Sequence, residues 1–286
     1  MGTSTSSSGP RSNVSLDPAW LEEIGGNAGG GDGGDKGDNA GGQPQPSGQG
    51  EPQPAQPTQP QTAPSRRFAG AKRNLGNFVR TGSRESLGRG IGQYSRTGMG
   101  GAAQAARRMR ASTSGGANLV SFLQNVAANA TPEIRNWVDT LTASTPSVDI
   151  VVDAIVNTVV PPGGSIDEES MRDSMALALS DLVALNPACD LLHMAPDDTW
   201  TLIQLYLGQE VCSRLRFDAG QFFESARLNP TAAVARELEM RSFVRNEVGV
   251  QLRALRVAKP NPDREHLNSI MQDALRLTFE VYEGLL

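Results

Sequence analysis

Residues 148–160 read VDIVVDAIVNTVV, and this β-branched stretch decides between an all-α and a mixed fold. Valine and isoleucine favour strands, so composition alone predicts a strand here. The apolar residues, however, recur at positions 148, 151, 152, 155, 156 and 159. Intervals of three and four place them on one face of a helix, whereas a half-buried strand requires strict alternation. The spacing therefore predicts a helix.

The sequence around this stretch carries helix-start signals and no alternating strand pattern. Ser165 and Glu168 have the spacing of a capping box. A capping side chain also precedes a proline suited to the first helical turn in three places: Thr131-Pro132, Asn186-Pro187 and Asn229-Pro230. We therefore predict an all-α, helical bundle-like domain over residues 117–286, which is long enough to build its own core.

The last two predicted helices are amphipathic, and each has one face that we expect in the core. The first face consists of Val234, Leu238, Val244, Val248, Leu252 and Leu255. The second consists of Leu267, Ile270, Met271, Ala274, Thr278 and Val281.

Charge divides the chain, whose net charge is −5, into three blocks. Residues 1–64 carry 7 acids and 2 bases, residues 65–116 carry 1 acid and 11 bases, and residues 117–286 carry 23 acids and 13 bases. The basic segment 65–116 has apolar residues at helical spacing, but its many glycines weaken isolated helices. We therefore expect these helices to lie against a surface, which is nucleic acid, an acidic protein or the acidic block of the same chain.

The bases of this segment form a predicted electrostatic surface that contacts phosphates or carboxylates without reading bases. Its members are Arg66, Arg67, Lys72, Arg73, Arg107, Arg108 and Arg110.

The first 64 residues contain two further predicted parts. Residues 25–64 lack every large apolar residue type, so we predict a disordered Gly/Pro/Gln-rich linker. Residues 1–24 form a tail in which LDPAWLEEI, residues 16–24, places Trp20, Leu21 and Ile24 on one helical face. This pattern favours a short docking motif that folds on a partner or on its own domain, and a chance apolar cluster is the alternative.

Catalytic, metal and cofactor motifs are missing from the sequence. The histidines, His193 and His266, have no second ligand at a fixed spacing, and Cys189 and Cys212 do not form a metal or disulfide framework. Cys212 lies within an apolar helical pattern, which indicates a small buried thiol rather than a nucleophile paired with His193. We predict that the chain is not an enzyme and binds no cofactor or metal.

The chain also lacks the signals that would direct it to a membrane or out of the cell. No apolar run approaches the roughly 20 residues of a membrane helix, and the N-terminus has no apolar core of a secretory signal. We predict a cytoplasmic protein without a membrane partner.

The N-terminal stretch MGTSTSSSGP, residues 1–10, offers one reactive group. Removal of Met1 exposes the amine of Gly2, and an α-amine has a pKa of about 7.7–8.0, well below that of lysine. A fraction of this amine is therefore the free, nucleophilic base at neutral pH. The stretch also fits the short myristoylation pattern, and an unstructured end without any role is a further alternative.

The tail contains MGTSTSSSGP and SLDPAWLEE, and the basic segment contains RRFAGAKRNLGNFVRTG and LGRGIGQYSRTGMGGAAQAARRMRAS. In these motifs and their order, the sequence resembles the QatB family of the bacterial Qat anti-phage system. The resemblance covers residues 1–24 and about 66–115.

The resemblance implies a non-enzymatic component encoded with an ATPase, a TatD-like nuclease and a QueC-like enzyme, QatC. QueC activates a carboxy-deazaguanine and joins it to ammonia, so a relative that accepts a protein amine would need an unhindered N-terminus. The resemblance therefore suggests Gly2 as a site of deazapurine modification, with Trp20, Leu21 and Ile24 as partner-binding residues. A nucleic-acid-binding adaptor that acts through residues 65–116 remains the alternative.

Overall fold

A computed structural model describes residues 66–220, 222–225, 230–258 and 262–286, and the described residues contain helices and no strand. The predicted tail 1–24 and linker 25–64 lie outside them. A π-helix, Tyr94–Met99, lies between α2 and α3. The α-helices are α1 (Ala69–Thr81), α2 (Arg84–Gln93), α3 (Ala102–Arg108), α4 (Arg110–Ala127), α5 (Pro132–Thr142), α6 (Val148–Val159), α7 (Ile166–Leu185), α8 (Pro196–Ala219), α9 (Phe222–Ser225), α10 (Pro230–Ala258) and α11 (Arg264–Glu283).

The stretch that opened the question of fold class is helical. Residues 148–159 form α6, and Ser147 caps its start by accepting a hydrogen bond from the Ile150 amide. Val152, Ile155 and Val156 are buried, as the spacing predicts. The all-α prediction is therefore confirmed for the described residues.

Side-chain caps explain several helix starts. Thr131 accepts a hydrogen bond from the Ile134 amide at the start of α5. Ser165 and Glu168 form the predicted capping box at the start of α7. The prediction at Asn186-Pro187 is wrong, because Asn186 ends α7 instead. Its side-chain oxygen accepts from the Ala188 amide in a turn, and α8 begins only at Pro196.

Two long helices, α8 and α11, organise the core. Helix α8 packs against α4, α7 and α10, whereas α11 packs against α2, α3, α4 and α10. Leu202, Leu207 and Val211 of α8 are fully buried, and so are Met271 and Phe279 of α11. Helix α8 therefore buries more than one face, as a helix at the centre of a bundle must, whereas the buried residues of α11 lie on one face.

The helices of the basic segment belong to the same core. Leu75, Phe78 and Val79 of α1 and Leu87 and Ile91 of α2 have no exposed surface. The predicted domain boundary at 116/117 falls inside α4, and residues 66–286 form one compact unit. The apolar residues of the basic segment therefore contact the chain's own helical body, which is one of the three surfaces expected for them.

The predicted inner faces of the last two helices are right in most positions. Val244, Val248 and Leu252 of α10 are buried, and so are the first five predicted residues of α11. The predictions that Val234, Leu238 and Val281 are buried are wrong, since these residues are 56%, 57% and 41% exposed.

Candidate functional site

The bases of residues 66–110 point away from the core that their helices help to build. Lys72 and Arg73 on α1, and Arg107 and Arg108 on α3, are exposed, and so are Arg66 and Arg110. Arg67 is half-buried because its guanidinium lies 4.8 Å from the centre of the Phe68 ring. The segment therefore presents cations to solvent while its apolar side chains hold it to the body.

Three of the seven predicted bases, Arg67, Lys72 and Arg108, lie near the C-terminal end of α8. The Phe68 ring beneath Arg67 stacks on Tyr94 at 5.6 Å, and the charge of Arg108 acts on the Tyr94 hydroxyl. Lys72 Nζ lies 3.6 Å from the position that a Cβ on Gly220 would occupy. Because the carbonyl end of a helix carries partial negative charge, cations are favoured there.

A buried tyrosine connects the π-helix to this end of α8. The Tyr94 hydroxyl donates a 2.7 Å hydrogen bond to Asp218 Oδ2. Burial, together with the neighbouring Asp218 carboxylate, raises the pKa of Tyr94 well above its usual value. Tyr94 is thus a neutral hydrogen-bond donor that fixes Asp218. Nearby, Arg214 pairs with Asp167 at 3.1 Å and joins α8 to α7.

The remaining predicted bases are not brought into this cluster. Arg66, Arg73, Arg107 and Arg110 have no ion-pair partner in the part of the chain that the structure describes. By contrast, Arg84 pairs with Glu239 of α10, and Arg89 pairs with Glu85. Arg66, Arg73, Arg107 and Arg110 are consequently available to an external anionic surface.

The cysteine and histidine considered for catalysis have separate surroundings. Cys212 is buried in α8, and burial raises the pKa of its thiol to about 12, so it is protonated at neutral pH. His193 is exposed, and its Nδ1 lies 2.9 Å from Asp190 Oδ2. The prediction of a buried core thiol is confirmed. Asp197 and Asp198 lie in the first turn of α8.

One buried acid, Glu210, was missed by sequence reasoning. It lies on α8, is 3% exposed, and its Oε1 has no hydrogen-bond partner. Burial raises the pKa of this carboxyl, and the Ser112 and Ser174 hydroxyls beside it only partly oppose the shift. The sequence QEVCSRL gave no signal, because a glutamate in an amphipathic helix normally faces water.

Replacing Glu210 by glutamine should change how stability depends on pH. With its pKa raised, the folded state binds this proton more tightly than the unfolded state does. The contribution of Glu210 to the free energy of unfolding should therefore be fully present below its unfolded pKa of about 4.3 and be lost as pH rises through the folded pKa. Because glutamine is neutral at every pH, Glu210→Gln should melt higher than the parent at pH 8 and about equally near pH 4.

Thermal unfolding followed by circular dichroism across this pH range measures the difference. Glu265→Gln is the matched control, since Glu265 is exposed in the first turn of α11. If the Tm of Glu210→Gln and the Tm of the parent differed by the same amount from pH 4 to pH 8, the raised pKa of Glu210 would be contradicted.

At the opposite end of α8, an apolar groove of about 360 Å³ opens between three helices. We name it the Trp200 groove. It is lined by Leu123, Gln124, Ala127, Ala128, Met194, Pro196, Thr199, Trp200, Ile203, Pro262 and Leu267. These residues belong to the end of α4, the start of α8 and its preceding loop, and the start of α11.

A comparison with protein families matches residues 100–282 to the family described as Qat anti-phage system associated protein QatB. The match spans more than half of the chain. The chain belongs to the QatB family. The family is described as associated with the Qat anti-phage system, so the chain is a component of that system.

The QatB match and the N-terminal resemblance overlap only over residues 100–115. The match begins at Gly100 and contains α3 to α10 and most of α11, whereas the resemblance was carried by residues 1–24 and 66–115. Comparison with curated proteins and with solved structures finds no match. The QatB assignment therefore rests on the helical body, where sequence reasoning found no distinctive motif.

Gly2, Trp20, Leu21 and Ile24 lie outside the described residues, so the predictions for them stay predictions. Among the helices that the structure describes, none has the length and apolar character needed to cross a membrane. Within the same residues, His, Cys, Asp and Glu side chains do not group in threes as potential metal ligands.

Proposed function

We propose that this chain is a non-enzymatic component of the Qat system that binds the QueC-like enzyme QatC and presents Gly2 to it. The observation that carries the proposal is the family match over residues 100–282, which places the chain in a system for which the resemblance implies such an enzyme. The system's ATPase and TatD-like nuclease are further partners in this proposal. The thiol of Cys212, protonated at neutral pH by its burial, is unsuited to be a nucleophile.

The proposed modification is an amide bond to the N-terminal amine. The enzyme first joins the carboxylate of a carboxy-deazaguanine to AMP from ATP, and pyrophosphate leaves. The free amine of Gly2 then attacks the acyl carbon, AMP leaves, and the amine loses one proton. Glycine suits this role because it has no side chain to obstruct a narrow site, and its low pKa leaves part of the amine unprotonated.

The docking motif supports the same proposal. Trp20, Leu21 and Ile24 stand in a tail that otherwise has few large apolar residues, and they follow Gly2 closely. A short amphipathic segment that folds on a partner uses apolar anchors at this spacing. In the proposal, the enzyme holds these anchors and thereby positions the amine.

The intact mass of the protein tests the proposal directly. Co-expression with the QueC-like enzyme should shift the mass by that of the carboxy-deazaguanine less one water, and peptide fragmentation should place the shift on Gly2. Expression without the enzyme is the control and should give the unmodified mass. An unmodified N-terminus in cells that are actively protected against phage would disprove the proposal.

A nucleic-acid-binding adaptor is the second candidate, and it is favoured by the solvent-facing bases without ion-pair partners. Their side chains project from helices that are already anchored by apolar contacts, so phosphate binding would not require refolding. Such binding depends on counterion release and weakens steeply with salt.

If this second function holds, replacing Arg107 and Arg110 by alanine should lower the salt slope of DNA binding by about 2, one for each lost phosphate contact. Fluorescence anisotropy with a labelled DNA duplex at several salt concentrations measures the slope. Arg276→Ala is the control, because Arg276 pairs with Glu280 on α11. Binding that is undetectable at low salt, or insensitive to salt and to both replacements, would rule this candidate out.

A further inference from the structure

The Trp200 groove has a buried apolar floor and is open to solvent at its edge. Leu123, Ile203 and Leu267, from three different helices, are buried at its base. Gln124 and Ala128 at its edge are exposed. Its volume of about 360 Å³ is at the lower end of the roughly 300–1,000 Å³ of ligand pockets, so it suits an apolar anchor side chain.

The Trp200 ring is held in place by a charged pair. The Arg256 guanidinium lies 5.7 Å from the centre of the ring, and its Nη2 is hydrogen-bonded to Asp197 Oδ1. This contact joins α10 to the first turn of α8. Because the ring is fixed on one side, an incoming side chain meets a preorganised apolar wall.

The segments that form the groove carry more acids than bases. Asp197 and Asp198 follow Pro196, and Asp263 and Glu265 flank the start of α11. Asp197 and Asp263 are the more exposed partners of their ion pairs, with 83% and 66% of their side chains accessible. Among the described residues of these segments, the bases are Arg256, which pairs with Asp197, Arg264, whose Nε donates to Asn118 Oδ1, and His266, whose Nδ1 lies 2.7 Å from Asp263 Oδ2.

We propose that the Trp200 groove docks an apolar anchor carried by a basic segment of another protein. The apolar floor binds the anchor, and the acidic rim attracts the cations beside it and selects against acidic segments. Neither Gly2 nor the bases of residues 66–110 take part in this proposed interface. The protein then has a second binding surface, which uses the matched body rather than the tail.

The test uses two short synthetic amphipathic peptides with the same Leu/Trp face, one with lysines on its polar face and one with glutamates at the same positions. Fluorescence anisotropy of the labelled peptides with the full chain gives the affinities. The lysine peptide should bind at least about tenfold more tightly than the glutamate peptide, because only the first complements the rim. A glutamate peptide that binds as well as its twin would overturn the proposal.

Variants of the chain locate the site. Ala128 is an exposed residue at the groove edge. Ala128→Arg should weaken binding of the lysine peptide by about tenfold or more, since the anchor loses its apolar contact. Glu265→Lys should weaken it by about threefold to fivefold, in keeping with an exposed charge pair. Asp173→Lys is the matched control, because it makes the same charge change on α7, whose first half adjoins the far end of α8 through Asp167 and Arg214.

Unchanged binding in Ala128→Arg would overturn the assignment to the groove. If Glu265→Lys and Asp173→Lys weakened binding of the lysine peptide equally, the effect would come from net charge. This result would also overturn the assignment to the groove. Tight binding of a peptide of residues 16–24, which carries Asp17, Glu22 and Glu23, would contradict the selection for a basic partner. Concentration-dependent dimerisation that Ala128→Arg abolishes would assign the groove to a second copy of the chain instead.

Discussion

Replacing Gly92 by alanine is expected to destabilise the protein by about 3 kcal/mol, the upper part of the range for overpacking a well-filled core. Gly92 lies in α2, and a Cβ there would come 2.3 Å from the Tyr282 carbonyl oxygen and 2.9 Å from the carbonyl carbon. Both atoms belong to backbone, so a change of rotamer cannot relieve the contact. Tyr282 itself is 2% exposed and stacks on Phe243 at 5.5 Å, so its side chain is packed into the core.

Gly76 provides a matched control for this prediction. It lies in α1, and nothing stands within 4 Å of the position that its Cβ would take. Gly76→Ala should therefore show the helix-propensity gain alone, about 1 kcal/mol of stabilisation. Thermal unfolding followed at 222 nm measures both variants, and for a protein of this size 1 kcal/mol corresponds to a change in Tm of about 2–4 °C.

The opposite signs of the two shifts are the essential result. If Gly92→Ala also raised the Tm, the close approach of α2 to α11 would be wrong, and with it the packing of the basic segment in the core. A far-UV spectrum at low temperature establishes that Gly92→Ala still folds, so that its Tm can be compared. Failure of both variants to differ from the parent would equally contradict the packing.

The glycines of the basic segment show how far the sequence could predict the fold. Their number predicts helices that are weak alone and need a surface, and the structure supplies that surface. Gly88 and Gly92 approach Leu285 and Tyr282, and Gly98 approaches the Phe68 ring. The local sequence predicts the helical periodicity and the caps. It does not show which part of the chain packs closely against a helix at a glycine.

The same distinction explains which candidate residues were found. Ser165 and Glu168 act within one helical turn, so their capping box is visible in the sequence. Glu210 has an ordinary local pattern, and its burial arises only when α7 and the start of α4 cover α8. The exposure of Lys72 and Arg73 followed from the pattern, whereas the approach of Lys72 and Arg108 to the end of α8 depended on tertiary contacts.

Replacing Gly2 by proline is expected to abolish both the mass shift and the protection against phage. Proline leaves a secondary amine within a ring, which is a hindered nucleophile, whereas Gly2→Ser keeps a small residue with a primary amine. Met1 should be removed in both variants, because each second residue is small. Gly2→Ser should therefore keep most of the modification and protection, while Gly2→Pro should match a strain that lacks the protein.

Plating efficiency of a restricted phage on hosts that carry the complete system measures protection, and intact mass measures modification in the same cells. Unchanged Tm values for both variants would show that the helical body is intact, so any loss would belong to the amine. Full protection by Gly2→Pro would contradict the role of the N-terminal amine. If modification is what the system requires, a Gly2→Ser protein that is still modified should still protect. Loss of protection in both variants, with the mass shift retained in Gly2→Ser, would therefore show that modification is not sufficient for protection.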